Sequence, residues 1–236
     1  MSTAFQFKQF AISQEHSALK LGTDAVLLGA LTEFNHPQNI LDIGTGTGIL
    51  ALMMAQKYHC AITAIDIDEG AILDAKENVK NSPWNEIITI VHGDIHNTNF
   101  QQKFDGIICN PPFFSNSLQN PESNKAIARH TITLTPKTLF HSIETLLGEN
   151  GKASIIIPFS EKNRFCENAT LSGLYAIAEW IIFPKTNATS PNRCVLQFAK
   201  QWQPFTQKHI AIRNEDSSYN DEFKQVTRGY YLFVEK

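Results

Sequence analysis

Asn110-Pro111-Pro112-Phe113 is the point of the chain with the most specific chemical content. These residues follow an apolar run, Phe104–Cys109, that reads as a strand. Two consecutive prolines stiffen the backbone and remove two N–H donors, so the carbonyls of Asn110 and Pro111 remain as acceptors. Asn110 adds a side-chain carbonyl, and Phe113 adds a flat apolar face. Together they suit a planar group carrying an NH2, with two N–H bonds accepted and the heterocycle stacked. Such stacking is worth roughly 1–3 kcal/mol per base.

A second motif lies upstream. Leu41-Asp42-Ile43-Gly44-Thr45-Gly46-Thr47-Gly48 follows one strand and opens a helix. Glycines there let the backbone approach a ligand, and the helix start offers free N–H groups. Gly46-x-Gly48-x-x-Ala51 also satisfies a dinucleotide pattern, with Asp66 following 20 residues after Gly46. The turn therefore leaves NAD and S-adenosylmethionine both open. Asp66, ending a second strand, serves ribose hydroxyls in either case. Asp94, ending a third in Val91-His92-Gly93-Asp94, can accept from an adenine amino group or can simply form an Asp turn. Asp42 orients the glycine loop or reaches the cofactor's amino group.

The elements around these motifs alternate. Strands are expected at Asn39–Ile43, Ala61–Ile67, Ile87–Val91, Phe104–Cys109, Lys152–Ile157, Ile177–Phe183 and Cys194–Phe198, with another at Tyr230–Val234. Helices are expected at Ile49–Tyr58, Glu69–Asn81, Thr138–Leu147 (ended by Gly148) and Ser160–Ser172 (capped by Ser160). This alternation specifies an α/β fold, Rossmann-like, with a mostly parallel seven-stranded sheet and helices on both faces. The 236 residues read as a single domain. Residues 1–34 form an N-terminal extension, in which Thr23 and Asp24 begin a helix. Residues 115–136 are a long polar loop on the substrate side, of the kind that tends to be functional.

The glycine turn, Asp66, Asp94 and Asn-Pro-Pro-Phe together resemble class I S-adenosylmethionine-dependent methyltransferases acting on amino groups. Further stretches narrow the resemblance: Phe7-Lys8-Gln9-Phe10, Lys20 to Ala30, Ser82-Pro83-Trp84, Ala128-Arg129-His130-Thr131, Asn192-Arg193-Cys194-Val195 and Tyr231-Leu232-Phe233. Nearly the whole chain looks like the bacterial tRNA1(Val) (adenine-37-N6)-methyltransferase family. Phe113 stands where many relatives carry tyrosine, and either ring can stack.

The resemblance implies methyl transfer to an adenine N6 in tRNA. S-adenosylmethionine is the implied cofactor and S-adenosylhomocysteine the product. Asn110, Pro111, Pro112 and Phe113 take the catalytic positions. Thr23, Asp42, Gly44, Gly46, Gly48, Asp66, Asp94 and Asn110 are placed around the cofactor, and Thr23 begins the helix that covers it. Phe114, Lys125, Arg129, His130 and Arg193 are placed toward the RNA. Other NH2 acceptors, a protein glutamine amide or a DNA adenine, stand as the alternative. The separate N-terminal helical domain or target-recognition domain usual in those enzymes is not evident. An NAD-linked oxidoreductase leaves Asn-Pro-Pro-Phe unexplained, and a non-enzymatic RNA-binding module leaves the intact cofactor set unexplained.

Charge is uneven along the chain. The net is −3, yet residues 1–102 hold 5 Lys/Arg against 11 Asp/Glu, and residues 103–213 hold 12 against 7. The surplus base begins just before Asn110, so RNA is expected on that side, with a modest, salt-sensitive footprint. Four scattered cysteines read as free thiols, and no spacing suggests a metal site. No signal peptide or membrane-spanning run is seen, so a cytoplasmic enzyme without membrane or obligate protein partner is expected.

Overall fold

The computed structural model describes residues 4–17, 21–112 and 134–233. Its frame is one eight-stranded sheet. In chain order the strands are β3 (Asn39–Ile43), β4 (Ala61–Asp66), β5 (Ile88–His92), β6 (Phe104–Cys109), β7 (Leu147–Pro158), β8 (Tyr175–Lys185), β9 (Arg193–Ala199) and β10 (Thr206–Arg213). They lie side by side as β10-β8-β9-β7-β6-β3-β4-β5. All neighbours are parallel except β9, which runs antiparallel to both β7 and β8. A small antiparallel pair, β1 (Phe5–Gln6) and β2 (Ala11–Ile12), stands apart.

The helices are α1 (Thr23–Leu31), α2 (Ile49–Tyr58), α3 (Glu69–Lys80), α4 (Pro136–Leu146), α5 (Lys162–Leu171) and α6 (Asp221–Thr227). One face of the sheet packs on α1, α2, the end of α3 and α6, through residues such as Leu27, Leu52, Val79 and Phe223. The other packs on α4 and α5 through Leu139, Phe140, Ile143 and Phe165. Strands covered on both faces need apolar residues throughout, and Ile40, Leu41, Ile107 and Ile108 are all fully buried.

The α/β expectation holds, with corrections at the edges. The sheet has eight strands rather than seven. The extra one, β10, is an edge strand whose first four residues, Thr206 to His209, are exposed. A strand paired on one side only needs no continuous apolar run, so Thr-Gln-Lys-His hid it. Conversely, Tyr230 to Phe233, within the stretch expected to be a strand, form none, although their aromatic rings are packed in the core. Ser160 sits inside a 3-10 turn, Phe159–Glu161, and does not cap α5. Nor does Gly148 end α4: Leu147 leaves the helix in extended geometry and passes directly into β7. At its other end α4 starts on Thr135, whose hydroxyl accepts from the Thr138 N–H, with Pro136 as the first helical residue.

Three of the stretches that narrowed the family resemblance, Phe7–Phe10, Ser82–Trp84 and Tyr231–Phe233, meet in one aromatic cluster. Phe7 stacks on Phe10 at 4.7 Å and on Tyr231 at 5.7 Å, and Phe10 meets Trp84 edge-on at 6.1 Å. The Lys8 N–H donates to the Tyr230 carbonyl at 2.8 Å. Ser82 turns the chain after α3: its hydroxyl donates to the Val79 carbonyl and accepts from the Trp84 N–H. The two chain ends are thus joined over the face that carries α2. Phe7 is fully buried, and truncating a buried phenylalanine typically costs about 3–5 kcal/mol. Phe7→Ala is expected to lower the urea midpoint by a corresponding amount with the m-value unchanged; an unaltered midpoint would show that this end adds nothing to the fold.

Candidate active site at the carboxyl edge

Strand order reverses at β3, with β4 on one side and β6 on the other. Such a reversal opens a crevice at the carboxyl ends, where ligands of this architecture sit. Register places the pieces: Ile43 pairs with Ile65 on one side and Cys109 on the other, and Asp66 pairs with His92. Gly44, Asp66, Gly93 and Asn110 therefore emerge at one rim. A cleft there is lined by Gly44, Asp66, Gly93, Asp94, Ile95 and Leu134, among others.

The glycine turn needs its glycines for backbone reasons. Gly44 and Gly46 have φ of +70° and +57°, and a Cβ on either would meet no protein atom within 4 Å. That open space is the cradle a bound cofactor would fill. Gly48, at φ +83°, faces Ala75 on α3 instead, and a Cβ there would sit in ordinary contact at 3.5 Å. So the first two glycines leave room for a ligand, and the third is required by its left-handed backbone alone.

Two carboxylates hold the turn. Asp66, 4% exposed, accepts the Gly46 N–H at 2.8 Å and the Asp68 N–H at 2.9 Å. Asp42 is fully buried; one of its oxygens accepts the Thr45 hydroxyl at 2.5 Å and the Ala51 N–H at 3.1 Å, while the other finds no partner. Of its two expected roles the structure displays the first, orientation of the loop. Burial, reinforced by nearby Asp66 and opposed by the bonds from Thr45 and Ala51, pushes its pKa up to about 7.

Asp94 lines the cleft, and its carboxylate also builds the turn it stands in. It accepts the His96 N–H at 3.0 Å and the Asn97 side-chain amide at 3.2 Å. Asn110, half-buried, follows β6 directly, and Pro111 is buried behind it. Phe113, Phe114, Lys125, Arg129 and His130 lie outside the described residues, as does most of the 115–136 loop. Thr23 starts α1, and its side chain is hydrogen-bonded to Tyr231. Arg193, at the start of β9, gives Asp24 of α1 its Nε–H at 2.8 Å and the Asn192 carbonyl a second bond at 2.9 Å. The pair is about 30% exposed on each side, so Arg193 is spent first on tethering α1.

Asp74 and Asn78 of α3 belong to the site and escaped sequence reasoning. Asp74 accepts the N–H groups of Glu15, His16 and Ser17. Asn78 brackets Ser13 through its N–H and carbonyl and also donates to the Thr47 carbonyl in the glycine turn. Both are nearly fully buried. Their signal was two polar residues four apart, on the side of α3 that also buries Ala71 and Ala75. They fasten the N-terminal segment across the glycine turn.

Cys109 and Cys194 are buried and Cys60 and Cys166 half-buried, all as free thiols. Burial raises each, Cys60 to about 11 and Cys194 to about 12, so they are inert at neutral pH. Among the described residues no group of three His, Cys, Asp or Glu is placed to hold a metal ion, and no helix is long and apolar enough to cross a membrane.

A glycine turn, a strand-end carboxylate and an Asn-Pro-Pro terminus on one sheet edge define a methyltransferase. The family described as "Methyltransferase small domain" matches residues 15–155. Among curated proteins, the tRNA1(Val) (adenine(37)-N6)-methyltransferase of Vibrio vulnificus is 40% identical over 97% of this chain and 95% of its own. Those of Bacteroides fragilis and Histophilus somni are each 37% identical over 97% of both chains. The chain belongs to the tRNA1(Val) (adenine(37)-N6)-methyltransferase family and is an enzyme.

Solved structures agree on the fold. A predicted O-methyltransferase from Agrobacterium tumefaciens superposes with a TM-score of 0.67 at 14% identity, covering 87% of this chain and 96% of its own. A glycopeptide N-methyltransferase complexed with (S)-adenosyl-L-methionine does so at 0.54 and 12%, covering 76% and 87%.

The raised pKa of Asp42 has a thermodynamic consequence. Its native value of about 7 exceeds its ordinary value of 3.8, so between those limits the folded state holds a proton the unfolded chain has lost. Stability linked to this proton is complete below pH ~4 and falls as pH rises toward ~7. Asp42→Asn keeps an oxygen for Thr45 and Ala51 and removes the titration. The melting temperature of the variant, relative to wild type, is expected to climb from pH 4 to 7 and level off above. A constant difference across that range would show that Asp42 is ionised throughout.

Proposed function

We propose that this enzyme transfers a methyl group from S-adenosylmethionine to the exocyclic N6 of adenine 37, beside the anticodon, in tRNA1(Val). The supporting observation is the register of β3 against β6: the glycine turn and Asn110 leave neighbouring strands one residue past the Ile43–Cys109 pair. A cofactor on the first and an amino group at the second would be in contact. The curated relatives bear this activity in their names over nearly the full chain.

The residues present fit the cofactor. Gly44 and Gly46 leave its space open, Asp66 lines the cleft beside them, and Gly93 and Asp94 line it too. Thr23 and Asp24, at the start of α1, are tied to Tyr231 and Arg193. When bound, S-adenosylmethionine supplies an electrophilic methyl on a cationic sulfur.

The chain's own part is acceptance and alignment. An aromatic amine is a weak nucleophile because its lone pair is delocalised into the ring. The Asn110 side-chain oxygen and the Pro111 carbonyl accept its two N–H bonds, which turn the nitrogen lone pair toward the cofactor. Holding reactants in line supplies much of the rate. The same two dipoles stabilise the positive charge that grows on the nitrogen. The surplus proton passes to water after transfer, so no strong base is required. A base held this way must first leave its stack, which costs least in a single-stranded loop. We place the enzyme with its tRNA substrate in the cytoplasm.

Asn110→Ala is expected to lower methyl transfer to tRNA by about 10²–10³-fold, the usual effect of removing one preorganised polar group. Calorimetric affinity for S-adenosylhomocysteine should stay within about twofold of wild type. Undiminished transfer would remove Asn110 from the reaction. Assaying bulk tRNA, duplex DNA and a protein glutamine substrate in parallel tests the acceptor itself: labelling of DNA or protein with none of tRNA would overturn the reading.

A further inference from the structure

The carboxyl edge continues past the cofactor site. Along it, β6 is followed by β7, β9, β8 and β10. Lys185 ends β8 and Arg213 ends β10, in register with each other. Both strands run parallel to the site's own strands, so these two cations project from the same side of the sheet as Asn110. Register puts Cys109 level with Glu179 of β8 and Gln207 of β10, six residues before Lys185 and Arg213. At about 4.8 Å per strand and about 3.3 Å per residue, Lys185 stands roughly 24 Å and Arg213 roughly 28 Å from the end of β6.

Three cations of α5 and β9 are paired. Arg164 pairs with Glu161, Lys162 with buried Glu179, and Arg193 with Asp24. Lys185 and Arg213 differ: among the described residues neither makes an ion pair. Lys185 donates to the Ser217 hydroxyl at 2.8 Å, and Arg213 to the Ser217 carbonyl at 2.6 Å. The turn carries two exposed acids, Glu215 and Asp216. Lys185 also donates to the Glu215 carbonyl at 3.5 Å, and Asp216 is engaged mainly by the Ser218 hydroxyl and N–H, with Lys185 a lesser influence.

These cations are also held in place. Arg213 lies over the Tyr219 ring at 4.4 Å, and Tyr219 stacks on buried Phe223 at 5.1 Å. The Thr186 N–H donates to the Arg213 carbonyl, joining the loop after β8 to the turn after β10. Ser217 takes a left-handed φ of +70° inside that turn. The loop after β8, Thr186-Asn187-Ala188-Thr189-Ser190, carries short hydroxyl and amide side chains and is mostly exposed. Small donors beside a fixed cation are the composition that lets a sugar–phosphate backbone approach.

We infer that the loops after β8 and β10 form a ledge that binds the phosphate backbone of the RNA, on the paired stem next to the loop that holds the target base. The span decides between stem and loop. At about 3.4 Å of rise per nucleotide, a span of roughly 24–28 Å is about seven to eight nucleotides from the reacting base. That carries the contact out of the anticodon loop and onto its stem. This inference rests on the tRNA reading above.

The test measures binding of two RNAs, the anticodon stem-loop hairpin and the loop sequence alone as a single strand. The proteins are wild type, Lys185→Ala and Thr189→Glu. Thr189 is exposed and packs on nothing, so its variant adds repulsion without disturbing the fold. Both variants should bind the hairpin about three- to tenfold more weakly at low salt. Lys185→Ala should also reduce the slope of log affinity against log salt by about one. Affinity for the single strand and for S-adenosylhomocysteine, and kcat at saturating hairpin, should remain within twofold. Hairpin affinity and salt slope equal to wild type in both variants would overturn the ledge while leaving the proposed reaction standing. Equal loss on hairpin and single strand would overturn the stem assignment. A wild-type enzyme that methylates no RNA would overturn both readings.

Discussion

Everything at the site depends on how the chain turns from β3 into α2, and that turn is held by carboxylates acting on backbone N–H groups. Asp42 catches Ala51 in the first turn of α2 and the Thr45 hydroxyl within the loop. Asp66, on the next strand, catches Gly46 from the far side. Left-handed glycines cannot fix their own conformation, since they gain the most freedom when released. The two acids supply the constraint the glycines lack. Burying Asp42 beside Asp66 is costly, as its raised pKa records, and the site accepts that cost because the turn must stay open to a ligand rather than fill with side chains.

The same logic extends outward through α3. Asp74 and Asn78 use side chains to satisfy the backbone of an irregular N-terminal segment, which has no sheet partner of its own along residues 13–17. Asn78 reaches Thr47 as well, so the segment and the glycine turn share one residue. Behind them the Phe7, Phe10, Trp84 and Tyr231 cluster brings in the C-terminal end. Tyr231 in turn bonds Thr23 at the head of α1. Stretches far apart in the chain thus converge behind the glycine turn.

What could be read from the sequence followed burial. Central strands β3, β4 and β6 are apolar on both faces and end in recognisable turns, so Asn39–Ile43 and Phe104–Cys109 were placed to the residue. The edge strand β10 was not, because its exposed half carries no periodic signal. Tyr230 to Phe233 misled for the opposite reason: the rings are buried in an aromatic cluster rather than by a sheet. In the site, Gly44, Gly46, Asp66 and Asn110 were legible from order along the chain alone. The roles of Asp74, Asn78 and the Asp24–Arg193 pair were not. Each depends on a contact between residues at least 57 positions apart, and one sequence does not record such distances.

Net charge needs the same correction for burial. The surplus acid of residues 1–102 includes Asp42, Asp66 and Asp74, all at most 4% exposed and all engaged by the backbone. Their charges serve the interior, and a polyanion outside meets little of them. The bases of residues 103–213 divide likewise: Lys162, Arg164 and Arg193 are matched by acids, whereas Lys185 and Arg213 face neutral oxygens. A chain of mild net acidity thus keeps part of its acid inside, where Asp42, Asp66 and Asp74 hold the glycine turn and the N-terminal segment, and among the described residues leaves surface cations such as Lys185 and Arg213 without an acid partner.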